Sequence, residues 1–146
     1  MKQSVTRITL WVNRCIFVLL VALLPALPFL LNWYGTVRQL SSLEYWAIMI
    51  AFYICAVITA VALWKLEQLL RNILAGQVFI RKNVRHIRTV QWCCGLVSLV
   101  CLPAACCYLP LVFMVIIMAF LCLVVSVVAQ IMAAAVEIRE ENDLTI

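Results

Sequence analysis

Eight cysteines are the residues of this 146-residue sequence with the widest choice of chemistry. Zinc sites need two closely spaced ligand pairs. Cys101 and Cys106 have a suitable spacing, but no second pair and no histidine lies near them in the sequence. Membrane thiol oxidases need cysteine pairs in loops outside the membrane, and the corresponding predicted loops contain none. The adjacent Cys106 and Cys107 would form a strained bridge.

Small residues recur every third or fourth position around several of these cysteines. Such stripes let helices approach closely within a membrane, and cysteine acts there as a small hydrophobic residue. We therefore interpret the cysteines as packing residues and expect neither a metal nor a cofactor. Thiol redox chemistry through Cys93, Cys94, Cys106 and Cys107 stays an alternative. The stripes comprise Ala47, Ala51, Cys55 and Thr59, then Cys94, Ser98, Cys101 and Ala105, and finally Ala119, Cys122, Ser126, Ala129 and Ala133.

Charged residues form two groups of opposite sign. The first is a basic cluster in which three arginines are spaced by four and three, so that they share one face of a predicted helix. The second is an acidic C-terminal tail. We predict that the two pack together, with Arg85 and Arg88 opposite Glu137 and Glu140. Alternatives for the basic cluster are contact with anionic lipid headgroups and a solvated group that only sets topology. The clusters are Arg81, Lys82, Arg85 and Arg88, and Glu137, Glu140, Glu141 and Asp143.

The composition defines the elements that must position these residues. The chain is 68% hydrophobic and 12% charged, with a mean hydropathy of +1.15, whereas soluble domains are about 45–50% apolar and about 25% charged. A water-soluble globule and a disordered tail are therefore excluded. Apolar runs of this length must be helices in lipid. The sequence predicts an all-α polytopic membrane protein, a single domain (1–146) with four transmembrane helices forming a bundle, at about 8–31, 45–64, 90–109 and 111–136, a loop at 65–89 and a tail at 137–146.

The distribution of charge predicts the orientation. Of the eleven basic residues, only Arg38 falls on the side opposite the loop and the termini. The positive-inside rule then places both termini and the central loop on the cytoplasmic side of the cell inner membrane. The tryptophans, at the ends of the predicted spans, agree with this assignment. The first span is expected to be an uncleaved helix because no Ala-x-Ala site follows it.

Local signals predict how the helices begin, end and bend. Glu67 and Arg71 have the spacing of a helical ion pair on an extension of the second span. Gly76 can end that extension in a left-handed turn. Proline at position 110 separates the third and fourth spans, because it cannot extend a helix. Pro25 and Pro28 are expected to kink or end the first helix.

The membrane spans offer little for transport or electron transfer. The second, third and fourth predicted spans contain no charged residue, whereas pumps and exchangers need ionisable groups inside the membrane. Arg14 can extend to the headgroups from the end of the first span. Di-haem cytochromes need several histidines, and His86 is the only one. We expect His86 to be a surface residue of the loop.

Two segments resemble one known family. Residues 76–88 (GQVFIRKNVRHIR) and residues 137–146 (EIREENDLTI) are similar to the loop motif and the ending of the YoaS-like family of small bacterial membrane proteins, the domain-of-unknown-function family numbered 2975. The resemblance implies the four-span layout but no activity. Members usually carry Ser or Thr where this chain has Ile80, so the helix cap of the family is in doubt here. Family members are often encoded beside small helix-turn-helix regulators, which implies a regulatory partner.

Together these features favour a non-enzymatic regulatory or interaction protein. We expect contact with anionic lipid headgroups, a cytoplasmic protein partner and a homo-oligomer, and no direct binding of nucleic acid. A small transporter, an immunity-type membrane protein and a thiol redox protein are the alternatives. Asn83 either belongs to the interaction surface or satisfies backbone groups of the loop. The predicted surface comprises Gly76, Phe79, Arg81, Lys82, Asn83, Arg85, Arg88, Glu137, Glu140, Glu141 and Asp143.

Overall fold

Four long helices account for almost all of the chain. A computed structural model describes residues 2–145, and within this range it contains no strand. The helices are α1 (Lys2–Arg38), α2 (Ser42–Leu74), α3 (Arg81–Cys107) and α4 (Leu111–Leu144). Each is long and apolar enough to cross a membrane. The prediction of an all-α protein with four transmembrane helices is therefore confirmed. The helices extend beyond the predicted spans because their polar ends continue in helical conformation.

The first helix continues through both of its prolines and ends only at Arg38. Of the two outcomes expected for these prolines, a kink or an end of the helix, the structure excludes the end. A proline at position 28 cannot donate a hydrogen bond to the carbonyl of Leu24, four residues earlier. Tyr53 on α2 donates its hydroxyl to that carbonyl at 3.1 Å. A neighbouring helix thus supplies the bond that the proline removes, which is how prolines are tolerated in membrane helices.

The turn between α1 and α2 uses a capping box. Gln39 adopts a positive φ of 50° after the last residue of α1. The Ser41 hydroxyl accepts a hydrogen bond from the backbone N–H of Glu44, and the Glu44 carboxylate accepts one from the backbone N–H of Ser41. Both are N–H groups that the first turn of a helix leaves without a partner. The Ser-x-x-Glu pattern that signals this cap is visible in the sequence.

The turn between α2 and α3 depends on glycine. Gly76 has a φ of +78°, as predicted for a left-handed helix end. Its backbone N–H donates to the carbonyl of Ile73, and the N–H of Gln77 donates to the carbonyl of Asn72, both at 3.0 Å. These two bonds define a Schellman motif. The next helix begins after Ile80, which provides no side-chain cap. The cap that Ser or Thr would supply at this position is therefore absent here.

The third turn lies where the sequence predicts it. Tyr108, at the end of α3, has an extended backbone, and α4 begins just after Pro110. The hydroxyls of Tyr108 and Tyr34 share a hydrogen bond of 2.7 Å. This bond joins the end of α1 to the end of α3 on the side of the molecule away from Gly76.

The helices pack in the order of the sequence. Among residues 2–145, close backbone approach occurs between α1 and α2, α2 and α3, and α3 and α4. Helices α1 and α4 are therefore the two edges of the array, and α3 is the most buried helix. Members of the predicted small-residue stripes lie at these contacts, with Ala51, Cys101, Ala105 and Ala129 all buried.

Polar side chains gather at one end of the array, which we call the charged end. It comprises the first turns of α1, the end of α2, the 75–80 turn, the start of α3 and the end of α4. Contacts join all four helices there: Arg14 of α1 bonds Glu67 of α2. Asn72 of α2 bonds Asn83 of α3, and Arg81 of α3 bonds Glu140 of α4. The sequential packing thus brings distant charged segments to one end.

The positive φ of Gly76 leads to a stability prediction. We expect Gly76→Ala to lower the free energy of unfolding by about 1–2 kcal/mol, because a left-handed conformation is unfavourable for a residue with a Cβ. Among residues 2–145, no atom would lie within 4 Å of the added Cβ, so steric contact adds nothing. Denaturant titration of the purified protein, followed by circular dichroism, measures the change.

Gly35→Ala is the matched control. Gly35 lies inside α1, where a Cβ would come no closer than 3.9 Å to the Leu40 side chain. This substitution should be neutral or stabilising, because alanine is the better helix former. Equal effects of the two substitutions would contradict the role assigned to the turn.

Candidate interaction site at the charged end

A buried asparagine side chain holds the 75–80 turn. Asn83, in the first turn of α3, is 0% exposed. Its Nδ2 donates to the backbone carbonyls of Gln77 at 2.7 Å and Val78 at 2.9 Å. Its Oδ1 accepts a hydrogen bond from Nδ2 of Asn72 at 2.8 Å. One carboxamide therefore connects the end of α2, the turn and the start of α3.

This geometry favours one of the two roles expected for Asn83. In this structure its side chain has no exposed surface to offer a partner. Its hydrogen bonds satisfy carbonyls that the turn leaves without backbone partners, which is the alternative role. Asn83 therefore positions its neighbours in the turn.

His86 is also buried, so the expectation of a surface histidine is wrong. Its residue exposure is 6%. Its Nε2 has no hydrogen-bond partner among residues 2–145. Burial, followed by the positive charges of Lys65, Lys82 and Arg85, lowers the pKa of His86. The imidazole is therefore neutral at pH 7 and does not add to the positive charge of this end.

Glu67 joins the first two helices at this end. Its Oε1 accepts hydrogen bonds from Arg71 at 2.7 Å and from Arg14 at 3.1 Å. The first contact confirms the predicted helical pair. The second shows that the guanidinium of Arg14 binds Glu67 of α2. Hydrogen bonding to Arg71, with a smaller contribution from Arg14, lowers the pKa of Glu67. Close by, the buried Asn13 donates to the carbonyl of Leu63 at 3.1 Å.

An arginine–carboxylate pair joins α3 to α4. Nε of Arg81 lies 2.9 Å from Oε1 of Glu140, and its Nη2 lies 2.6 Å from Oε2. This two-point contact has the geometry that gives arginine pairs their directional specificity. The hydrogen bonds from Arg81 lower the pKa of Glu140. The acidic tail therefore packs against the basic cluster, as predicted, but through Arg81.

The other residues expected to pair line a groove beside this contact. Among residues 2–145, no carboxylate lies within 4.0 Å of the guanidinium of Arg85 or Arg88. The expected ion pairs of these two arginines with Glu137 and Glu140 are therefore not formed. The reason is the register of the two helices: Glu140 lies opposite Arg81, one turn nearer the start of α3 than Arg85. Arg85, Arg88 and Glu137 instead face the groove.

The remaining predicted surface residues are exposed. Phe79 is 45% exposed in the turn, and Gly76 and Lys82 are exposed beside it. Glu141 and Asp143 are exposed on the last turns of α4, which end at Leu144 with 87% exposure. The structure thus brings all predicted residues to one end. Some of them hold the turn or join the helices, some line the groove, and the rest are exposed. Asn72, which donates to Asn83, was not identified from the sequence. Its position four residues before Gly76, in the last turn of α2, was the available signal.

The cysteines occupy both exposed and buried positions. Cys106 and Cys107 are exposed, and Cys93 is buried. The thiols of Cys55 and Cys101 lie in contact at 3.6 Å between α2 and α3. Both belong to the predicted stripes, and this contact supports the packing interpretation. Among residues 2–145, no three His, Cys, Asp or Glu side chains are arranged to hold a metal ion.

The contacts of Asn83 predict a large effect of its removal. We expect Asn83→Ala to lower the free energy of unfolding by about 2 kcal/mol or more, because the carbonyls of Gln77 and Val78 lose their donor and Asn72 loses its acceptor. Asn83→Asp should cost at least as much, since a carboxylate would face the carbonyls of Gln77 and Val78. Asn142→Ala, at an exposed position, should change the stability by less than about 0.5 kcal/mol. Similar effects of Asn83→Ala and Asn142→Ala in denaturant titrations would contradict the proposed anchor.

The Arg81–Glu140 contact predicts a charge-swap result. Arg81→Glu and Glu140→Arg should each lower the melting temperature slightly, and the double variant should recover part of the loss. High salt should weaken the effect because both side chains are partly exposed. Because the pKa of Glu140 is lowered in the folded state, its contribution is present above the usual carboxyl range and is lost as the pH falls through the lowered value. Additive losses in the double variant would contradict the pair.

Comparison with known proteins identifies the family. The sequence model described as "Protein of unknown function (DUF2975)" matches residues 6–146. This range contains both segments on which the resemblance rests. The comparisons with curated proteins and with solved structures find no match. Because the family match covers nearly the whole chain, this four-helix membrane protein belongs to the DUF2975 family.

Proposed function

We propose that this chain is a non-enzymatic regulatory or interaction protein of a bacterial inner membrane. Its charged end would face the cytoplasm, because ten of the eleven basic residues belong to that end. The partner surface would consist of Phe79 in the turn and Glu141, Asp143 and Leu144 on α4. Regulation would then follow from holding a cytoplasmic protein at the membrane.

The observation that carries this proposal is the end of α4. Residues 137–144 continue the helix beyond Val136, the last residue of the apolar run. The Arg81–Glu140 pair fastens this extension to α3. Beyond that contact, Glu141 and Asp143 make no ion pair among residues 2–145. A helix that is ordered before binding reduces the entropic cost of association.

The charge of this surface favours a basic partner. Two free carboxylates lie beside the exposed side chain of Leu144, which is 87% exposed. Acidic groups around an apolar contact suit a partner with a basic rim, since complementary charge steers association. Small helix-turn-helix regulators, the class implied by the resemblance, carry basic surfaces for DNA. The polar groups nearer the membrane, Asn83 and Glu67, serve to hold the helices.

Photocrosslinking in cells tests the proposal. With Leu144→benzoylphenylalanine in the full chain, we expect a covalent adduct with a cytoplasmic protein. The added substitutions Glu141→Gln and Asp143→Asn should reduce the adduct by about fivefold or more, because they remove the two free charges. The control Glu44→Gln removes a carboxylate at the opposite end and keeps a helix-capping side chain. It should leave the adduct unchanged.

A second probe position tests whether the adduct is specific to the end of α4. Leu43 is 80% exposed at the opposite end, so Leu43→benzoylphenylalanine should not yield the same adduct. Absence of any protein adduct at Leu144, or an equal adduct from Leu43, would contradict the proposed surface. An adduct that survives the loss of both charges would contradict the electrostatic part of the proposal.

A further inference from the structure

A charged groove lies between α3 and α4 at the charged end. It encloses about 400 Å³, a size typical of small-ligand sites. Val84, Ala133 and the buried Val136 form the apolar part of its lining. The start of α3 and the end of α4 therefore form a cleft lined by both apolar and charged side chains.

Two arginines in the wall have no carboxylate partner in the described part of the chain. Arg81 is engaged by Glu140. Arg85 and Arg88 line the groove, are exposed, and have no carboxylate within 4.0 Å among residues 2–145. Guanidinium groups donate in a planar fork that matches the oxygen atoms of a phosphate. Two such arginines on one face thus offer a site for one anionic oxygen group.

The position of the groove relates it to the bilayer. Arg88 lies two residues before the charge-free run that starts at Val90. Trp92, one helical turn farther along α3, is 71% exposed, and Trp64 on α2 and Trp11 on α1 are 59% and 66% exposed. Exposed tryptophans mark the interface between lipid and water. The groove therefore opens at the level of the lipid headgroups.

We propose that this groove binds the phosphodiester headgroup of an anionic phospholipid. The phosphate would accept hydrogen bonds from Arg85 and Arg88, and the glycerol would lie over Val84 and Val136. Three arginines and two glutamates line the groove, which leaves one net positive charge and matches a monoanionic lipid. The site uses residues other than the partner surface at Phe79 and Leu144. The inference therefore goes beyond the proposed function and does not rest on it.

Lipid binding to the purified full-length protein tests this inference. Native mass spectrometry in detergent measures the apparent affinity for phosphatidylglycerol and for phosphatidylcholine. Wild type should prefer phosphatidylglycerol by about tenfold. The double variant Arg85→Gln/Arg88→Gln should weaken binding of phosphatidylglycerol by about tenfold or more, because each basic side chain near an anionic surface contributes about 1 kcal/mol. Arg85→Lys/Arg88→Lys keeps the charge without the planar fork and should show an intermediate loss.

Matched controls separate the groove from general attraction. Lys82→Gln/Arg139→Gln removes two exposed positive charges from the same end, outside the groove, and should preserve most of the affinity. Glycerol phosphate, a free source of the same chemistry, should not displace the lipid at equal concentration. Equal losses in the two glutamine double variants, an unchanged Arg85→Gln/Arg88→Gln variant, or displacement by glycerol phosphate would overturn the proposal. Circular dichroism melts of each variant establish that it is folded.

Discussion

The buried carboxamide of Asn83 is the interaction on which the charged end depends. The chain must reverse direction between α2 and α3 within six residues, and a turn so tight leaves carbonyls that cannot join a helix. Asn83 bonds two of them and is itself bonded by Asn72. This fixes the start of α3, and with it the direction in which Arg81 points. The contact of Arg81 with α4 then follows from the turn.

Side chains also bond backbone carbonyls inside the apolar layer. Polar side chains there are few, and two of them bond backbone carbonyls of neighbouring helices. Tyr53 donates to Leu24, and the Ser98 hydroxyl donates to the carbonyl of Val115 at 3.2 Å. A buried polar group without a partner is costly in lipid. The small-residue stripes bring the backbones close enough for such bonds, which connects close packing with polar satisfaction.

Features determined by local sequence were predictable. The four spans follow from the length of the apolar runs, and the turn at Gly76 and the Glu67–Arg71 pair follow from spacing along one chain segment. Features that depend on the rotation of one helix against another were not. The sequence contains no local signal that turns Asn83 and His86 inward, or that aligns Arg81 instead of Arg85 with Glu140. The course of α1 past Pro28 likewise depends on Tyr53, a residue of another helix.

The 75–80 turn and the end of α4 lie together at the charged end. Pulsed electron spin resonance between labels at Phe79 and Leu144 in lipid nanodiscs measures their separation directly, with labels attached through ketone amino acids because the chain has eight cysteines. Glu140 contacts Arg81, and Leu144 lies one turn beyond it, so we expect a distance below about 30 Å. The Phe79–Leu43 pair, separated by the length of α2, should give about 45 Å. A Phe79–Leu144 distance as long as this reference would contradict this arrangement of the turn and α4.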